Sequence, residues 1–175
     1  VYNALAAFAA ACECGLDGER AAAGISRFTG AHRRMEYKGS FCGASVYDDY
    51  GHHPTEVRAT LRTMREVGTG RLFCVFQSHT YSRTARLFED FAAALATADR
   101  TVVADIYAAR ETDTMGVSGE RLAAETVKCG GNAVYGGNFE HIVEILKAEL
   151  HEGDTLVVMG AGDIYRIYPM IGLHE

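Results

Sequence analysis

Three short stretches of this chain, RLFCVFQ at 71–77, TVVADIY at 101–107 and TLVVMG at 155–160, are apolar with hardly a break. A strand with one wet face alternates apolar and polar residues. A strand covered on both faces does not, and crossover helices cover both faces of a parallel sheet. The segments between these stretches carry a helical period instead. In 54–67, Val57, Leu61 and Met64 recur at i, i+4 and i+7, with Arg58, Arg62 and Arg65 opposite. Residues 82–97 read as one helix with Leu87, Phe88, Phe91 and Leu95 on one side, and 118–129 as another. After a short strand at 132–136, Phe139, Ile142, Val143, Leu146 and Leu150 form a stripe over 139–150. Gly160-Ala161-Gly162 then leads into a final helix from Asp163. Such alternation predicts an α/β fold, a doubly wound, Rossmann-like and mostly parallel sheet flanked by helices, its crossovers right-handed.

The first thirty residues follow another pattern. Residues 2–14 are rich in Ala, the strongest helix former, and stop at Gly15; Asp17 is placed to cap a second helix that runs toward Gly30. With little apolar bulk, residues 1–30 read as the helical end of a preceding domain, and 31–175 as the α/β domain. Val1 enters a helical pattern with neither Met nor N-cap, as in a piece of something longer. RRMEYKG (33–39) and ASVYDD (44–49), separated by Gly39 to Gly43, read as a strand pair.

Composition narrows the classes of function. At 175 residues and 48% hydrophobic, the chain builds a core without disulfide or metal staples. Its five cysteines are odd in number and scattered, as free thiols in a reducing compartment are. A formal charge of −6 argues against non-specific nucleic-acid binding, which depends on counterion release by Lys and Arg. No apolar run is long enough to span a bilayer. The expectation is a cytoplasmic protein with neither nucleic-acid nor membrane partner.

Ligands of open α/β sheets bind beyond the carboxyl ends of the strands. Those ends carry Asp48, Asp49, Tyr50, His52 and His53; then Gln77, Ser78, His79, Tyr81 and Arg83; then Asp105, Tyr107, Arg110 and Glu111; and finally Gly160 to Asp163. Within DDYGHHPTEV (48–57), adjacent His52 and His53 point in different directions, which disfavours joint metal binding. His53 before Pro54 suits a helix cap, with Glu56 in the first turn. A carboxylate beside that helix start, Asp49, could hold ribose hydroxyls. Arg83 is either a carboxylate or phosphate clamp or a solvated arginine, and Arg33 and Arg34 are open to the same two readings. There is no G-x-x-x-x-G-K-[ST] phosphate loop, so a nucleoside triphosphate would have its main cradle elsewhere.

NALAA (3–7), RRMEYKG, VYDDYGHHPTEVRATL (46–61), QSHTYSRT (77–84), DIYAARE (105–111), GVS (116–118) and GAGDI (160–164) together resemble the Mur ligase family, in order along the whole chain. The resemblance covers the end of that family's central ATPase domain and all of its C-terminal Rossmann-like domain. It implies amide formation: MgATP activates the carboxylate of UDP-N-acetylmuramate as an acyl phosphate, which the amine of L-alanine attacks, in peptidoglycan precursor synthesis. By the same resemblance Asn3, Arg34, Asp49 and Tyr50 face ATP, with Arg34 at the phosphates and Asp49 at the ribose. His52, His79 and Arg83 face the amino acid, Arg83 holding its carboxylate. Arg34, Asp49 and His52 form the implied catalytic set, His52 orienting rather than acting as a base. The ligands of Mg2+ belong to the part not matched, and no metal site is expected here. Some members carry arginine where this chain has Thr80, so a second carboxylate clamp is absent or comes from elsewhere. Three alternatives stand beside this reading: a family relative that attaches a tripeptide to the same UDP-sugar, a metal phosphoesterase using Asp48, His52 and His53, and a binding module without turnover.

Overall fold

The computed structural model describes residues 2–28 and 30–174; the expectation placed on Val1 lies outside them. The chain divides into two compact units between Ala31 and His32. The first holds α1 (Tyr2–Glu13) and α2 (Gly18–Ser26). Gly15 has φ of 89°, the left-handed conformation that ends a helix without a Cβ penalty. Asp17 caps α2 by accepting from the Arg20 amide.

The second unit is a six-stranded sheet: β1 (Glu36–Phe41), β2 (Ala44–Asp49), β3 (Leu72–Phe76), β4 (Arg100–Ala104), β5 (Ala133–Gly137) and β6 (Thr155–Met159). The spatial order is β1-β2-β6-β3-β4-β5, with only β1 antiparallel to its neighbour. Its helices are α3 (Pro54–Val67), α4 (Tyr81–Arg86), α5 (Phe88–Leu95), α6 (Gly119–Lys128), α7 (Phe139–Glu149) and α8 (Ile167–Met170). The central strands β3 and β6 are buried at every residue, as their unbroken apolar runs require. Leu72, Cys74, Phe76, Val103, Val157 and Met159 pack on one face against α3, α5 and α6. Phe73, Val75, Val102, Leu156 and Val158 pack on the other with Ile142, Val143 and Leu146 of α7 and with Tyr168. Steps from β2 to β5 run one way along the sheet; the return through α7 inserts β6 between β2 and β3, which brings the carboxyl ends of β2, β6 and β3 side by side.

Three local expectations are corrected. The helix expected over 82–97 is two helices broken at Leu87 (φ −118°, ψ 23°). Neither Pro nor Gly marks the break; Leu87 ends α4 by donating to Arg83 O and starts α5 by accepting from the Phe91 amide. The strand expected from Arg33 begins only at Glu36, because Arg33 and Met35 have positive φ (54° and 48°) and 33–36 is a turn tied by the Arg33 amide to the Glu36 carboxylate. The strand itself runs through Gly39, leaving Cys42 and Gly43 as the hairpin turn. The final helix expected from Asp163 is a 3-10 turn, Ile164–Arg166, followed by the short α8.

Candidate functional site

Five of the six strands are parallel, so the loops after β2, β6, β3, β4 and β5 leave the sheet at one edge. The loop after β2 is built around two buried aspartates. Asp48, 1% exposed, takes the Arg33 guanidinium through Nε at 3.1 and 3.3 Å. Burial pushes this carboxyl up, and Arg33 pulls against that shift. The same guanidinium donates to Gly160 O at 2.7 Å and lies over the rings of Tyr50 and Tyr165 at 5.1 and 5.5 Å. Arg33 is thus an internal tie between the ends of β2 and β6. Its neighbour Arg34 is half exposed, 5.8 Å from the Tyr50 ring and 3.7 Å from Glu56. The two adjacent arginines are separated by the fold, one tied inward and the other half in solvent.

Asp49 is 3% exposed, and its carboxylate already accepts from the Met35 amide (3.0 Å), the Gly51 amide (2.9 Å) and the Thr60 hydroxyl (3.2 Å). In this conformation it orders the loop, and a ribose hydroxyl would have to share its oxygens. Tyr50 is presented outward, edge-on to His52 at 5.5 Å. His52 Nδ1 lies 3.0 Å from Tyr50 O. His53 caps α3 by accepting from the Thr55 amide, and Glu56 returns the bond by accepting from the amides of His52 (3.0 Å) and His53 (3.2 Å). Burial opposes the Glu56 charge, but those amides with the His52 ring and Arg34 hold it below the usual carboxylate range. The two histidine rings therefore serve different local partners. Among the described residues, no group of three or more His, Cys, Asp or Glu side chains is gathered closely enough to hold a metal ion.

The loop after β3 supplies the facing side of the rim. His79 stacks on Tyr107 (5.5 Å between centroids, 29° between planes), with Nδ1 3.5 Å from Arg83 Nη1. Burial lowers the basicity of His79, and the charges of Arg83 and His52 lower it further. That direction favours the neutral imidazole at pH 7. The loops after β2 and β3, separated in the sheet by β6 alone, leave it at the same edge. A cleft of about 370 Å3 adjoins it, lined by Gln77, Asp105, Tyr107, Asn138, Asp163 and Arg166. Gln77, Asp105, Tyr107 and Asp163, named at the strand ends, line that cleft, whereas Arg34, Asp49, Tyr50, His52, His79 and Arg83 do not. Asn3, the remaining one, lies on α1 in the first unit. Thr60 was not foreseen as part of this rim, and neither was the tie that Arg33 makes to Asp48 and Gly160, because both depend on partners brought from elsewhere in the fold.

This edge defines a class of protein: a doubly wound α/β domain whose strand-end loops present arginine, histidine and exposed tyrosine at the edge where such sheets take their ligands. The chain belongs to the Mur ligase family, the model of the Mur ligase glutamate ligase domain matching residues 33–162. It is 50% identical to the UDP-N-acetylmuramate–L-alanine ligase of Lachnospira eligens and 47% to that of Clostridium novyi, over 95% and 97% of its length. It spans 36% and 37% of those two relatives, just over a third of each. The solved UDP-N-acetylmuramate-alanine ligase of Thermotoga maritima superposes with a TM-score of 0.78 at 26% identity, covering 97% of this chain and 36% of that one. A murein peptide ligase from Psychrobacter arcticus shares the fold, with a TM-score of 0.72 at 24% identity over 97% of this chain and 35% of that one.

Proposed function

We propose that this chain is the C-terminal portion, 1–30 from a central ATPase domain and 31–175 the C-terminal domain, of a cytoplasmic ligase that joins L-alanine to UDP-N-acetylmuramate at the expense of ATP. The observation that carries this reading is the sheet edge, where a half-exposed Arg34 beside Tyr50 and His79 beside Arg83 lie at the ends of β2 and β3, two strands with only β6 between them. Arg34 and Tyr50 fit a nucleotide, guanidinium toward phosphate and ring toward base. Asn3 is assigned to the same nucleotide from the helical segment. Arg83 fits the carboxylate of the amino acid, and neutral His79 beside it accepts or donates a hydrogen bond without competing for that charge. His52 orients the rim through Tyr50 O and Glu56, and Asp49 acts first as the residue that fixes the loop carrying Tyr50.

Among the described residues no metal site is gathered, so no step is assigned to Mg2+ on them. MgATP would supply the phosphoryl group that activates the carboxylate; these residues position the partners and balance charge. The sequence carries no phosphate loop, and turnover is expected from the full-length ligase, with the other domains as its partners. Alanine rather than a peptide is favoured by the relatives at 50% and 47% identity. The test is phosphate release by the full-length ligase with MgATP, UDP-N-acetylmuramate and either alanine or tripeptide. Alanine-dependent release is expected, with Arg34→Ala raising the KM for ATP and Arg83→Ala that for alanine. Release that needs the tripeptide, or none with either amine, would sink the assignment.

A further inference from the structure

The helix that carries Arg83 is too short to fix its own direction. With six residues, α4 has little more than one turn of internal hydrogen bonds, and helix nuclei of that length are unstable alone. Its entry is also strained: Thr80 has φ 69° and ψ 142°, a conformation that favours glycine. Something outside α4 must hold it there, and the loop after β4 makes the contacts. The Tyr107 amide donates to Ser78 O at 2.9 Å and the Thr80 amide donates to Tyr107 O at 2.8 Å, so a single parallel bridge between His79 and Tyr107 extends the β3–β4 pairing past both strands. The Tyr107 ring stacks on His79. Glu111 accepts from the Ser82 amide at 2.9 Å and from the Ser82 hydroxyl. Those hydrogen bonds hold the Glu111 carboxyl below its usual range. Behind Tyr107 the chain is close-packed, since a Cβ on Gly162 would lie 2.7 Å from the Cβ and Cγ of the tyrosine.

We propose that Tyr107 and Glu111 are positioning residues that set the amino-acid subsite: Tyr107 holds the His79 ring and the Thr80 backbone, and Glu111 fixes the first turn of α4, so that Arg83 meets the substrate carboxylate beside His79. Neither residue touches substrate in this arrangement. The inference rests on the ligase reading above and deepens it. Amino-acid affinity is then set partly from the loop after β4, which lies on the far side of β3 from Tyr50 and Arg34. Loosening that loop therefore disturbs amino-acid binding and leaves nucleotide binding alone.

The experiment uses the full-length ligase with Glu111→Ala, Tyr107→Leu and Tyr107→Phe, with phosphate release measured against alanine and against ATP. Glu111→Ala and Tyr107→Leu are expected to raise the KM for alanine on the order of tenfold or more, the scale of misplacing a binding group by a fraction of an ångström to an ångström. The KM for ATP stays at its wild-type value, and Tyr107→Phe, which keeps the stacked ring, behaves like wild type. An alanine KM within about twofold of wild type in both Glu111→Ala and Tyr107→Leu overturns the proposal, as does an equal rise in both KM values, which marks general loosening. If the wild-type ligase releases no phosphate with alanine, the ligase reading fails instead. The positioning is then decided on the 175-residue chain by the NMR shifts of the His79 ring protons. These move downfield in Tyr107→Leu and stay in Tyr107→Phe if the stack exists; shifts unchanged in both overturn it.

Discussion

At the scale of single residues, the rim is governed by which charges the fold leaves exposed. Arg33 and Arg34 are adjacent, yet one is locked between Asp48, Gly160 and two tyrosine rings, and the other stays half in solvent. His79 shows the same control over protonation. Its folded-state pKa lies below the ordinary imidazole value of 6.5, through burial first and the Arg83 charge second. Below 6.5 the unfolded chain therefore binds this proton more readily than the folded one, so stability rises with pH between the folded and unfolded values. The contribution is present above 6.5 and is lost as the pH falls through that window. In an NMR titration His79 is expected to have its midpoint below 6.5, and Arg83→Gln to raise it. A midpoint at or above 6.5 would mean that the imidazole is neither desolvated nor beside the guanidinium.

At the scale of elements, each helix start next to the rim depends on a polar side chain from a specified position. The start of α3 carries a reciprocal cap in which Glu56 serves two amides, those of His52 and His53. Glu56→Ala leaves both without that acceptor and is expected to lower unfolding free energy by about 1–2 kcal/mol, the usual range for a lost cap. Glu56→Gln keeps an acceptor and recovers most of it. Urea denaturation checks this through the midpoint at unchanged slope. Legibility at this scale was uneven. The α3 cap was readable because Pro54 and Glu56 sit at fixed offsets from His53, whereas the α4–α5 break at Leu87 was not, because no Pro or Gly marks it.

At the scale of the whole molecule, both apolar clusters that flank the sheet are drawn from residues beyond Ala31, while α1 has no buried residue and α2 only Ala21. Folding stability should therefore reside in 32–175. A chain of 32–175 is expected to unfold in one cooperative transition with a Tm within a few degrees of the full 175 residues. A large loss of Tm, or a broad transition, would show that the helical segment completes the core. No helix among the described residues is long and apolar enough to cross a membrane.

The sequence alone determined the α/β class, the parallel sheet and the edge at which the strand-end loops gather. Those follow from periodicity and burial, which a chain must satisfy residue by residue. Motif order also pointed to the family, because DDYGHHPTEV and HTYSRT are long, specific strings. What only the tertiary structure decided is the division of labour among neighbours: Arg33 as tie and Arg34 as exposed cation, Asp49 occupied by three donors, His79 stacked on Tyr107, and Glu111 at the start of α4. Each depends on a partner at least ten positions away or in another strand's loop. Sequence spacing carries no record of such pairings, because it is the β1–β2 hairpin, the insertion of β6 between β2 and β3, the packing of α3 and the pairing of β3 with β4 that bring those partners together.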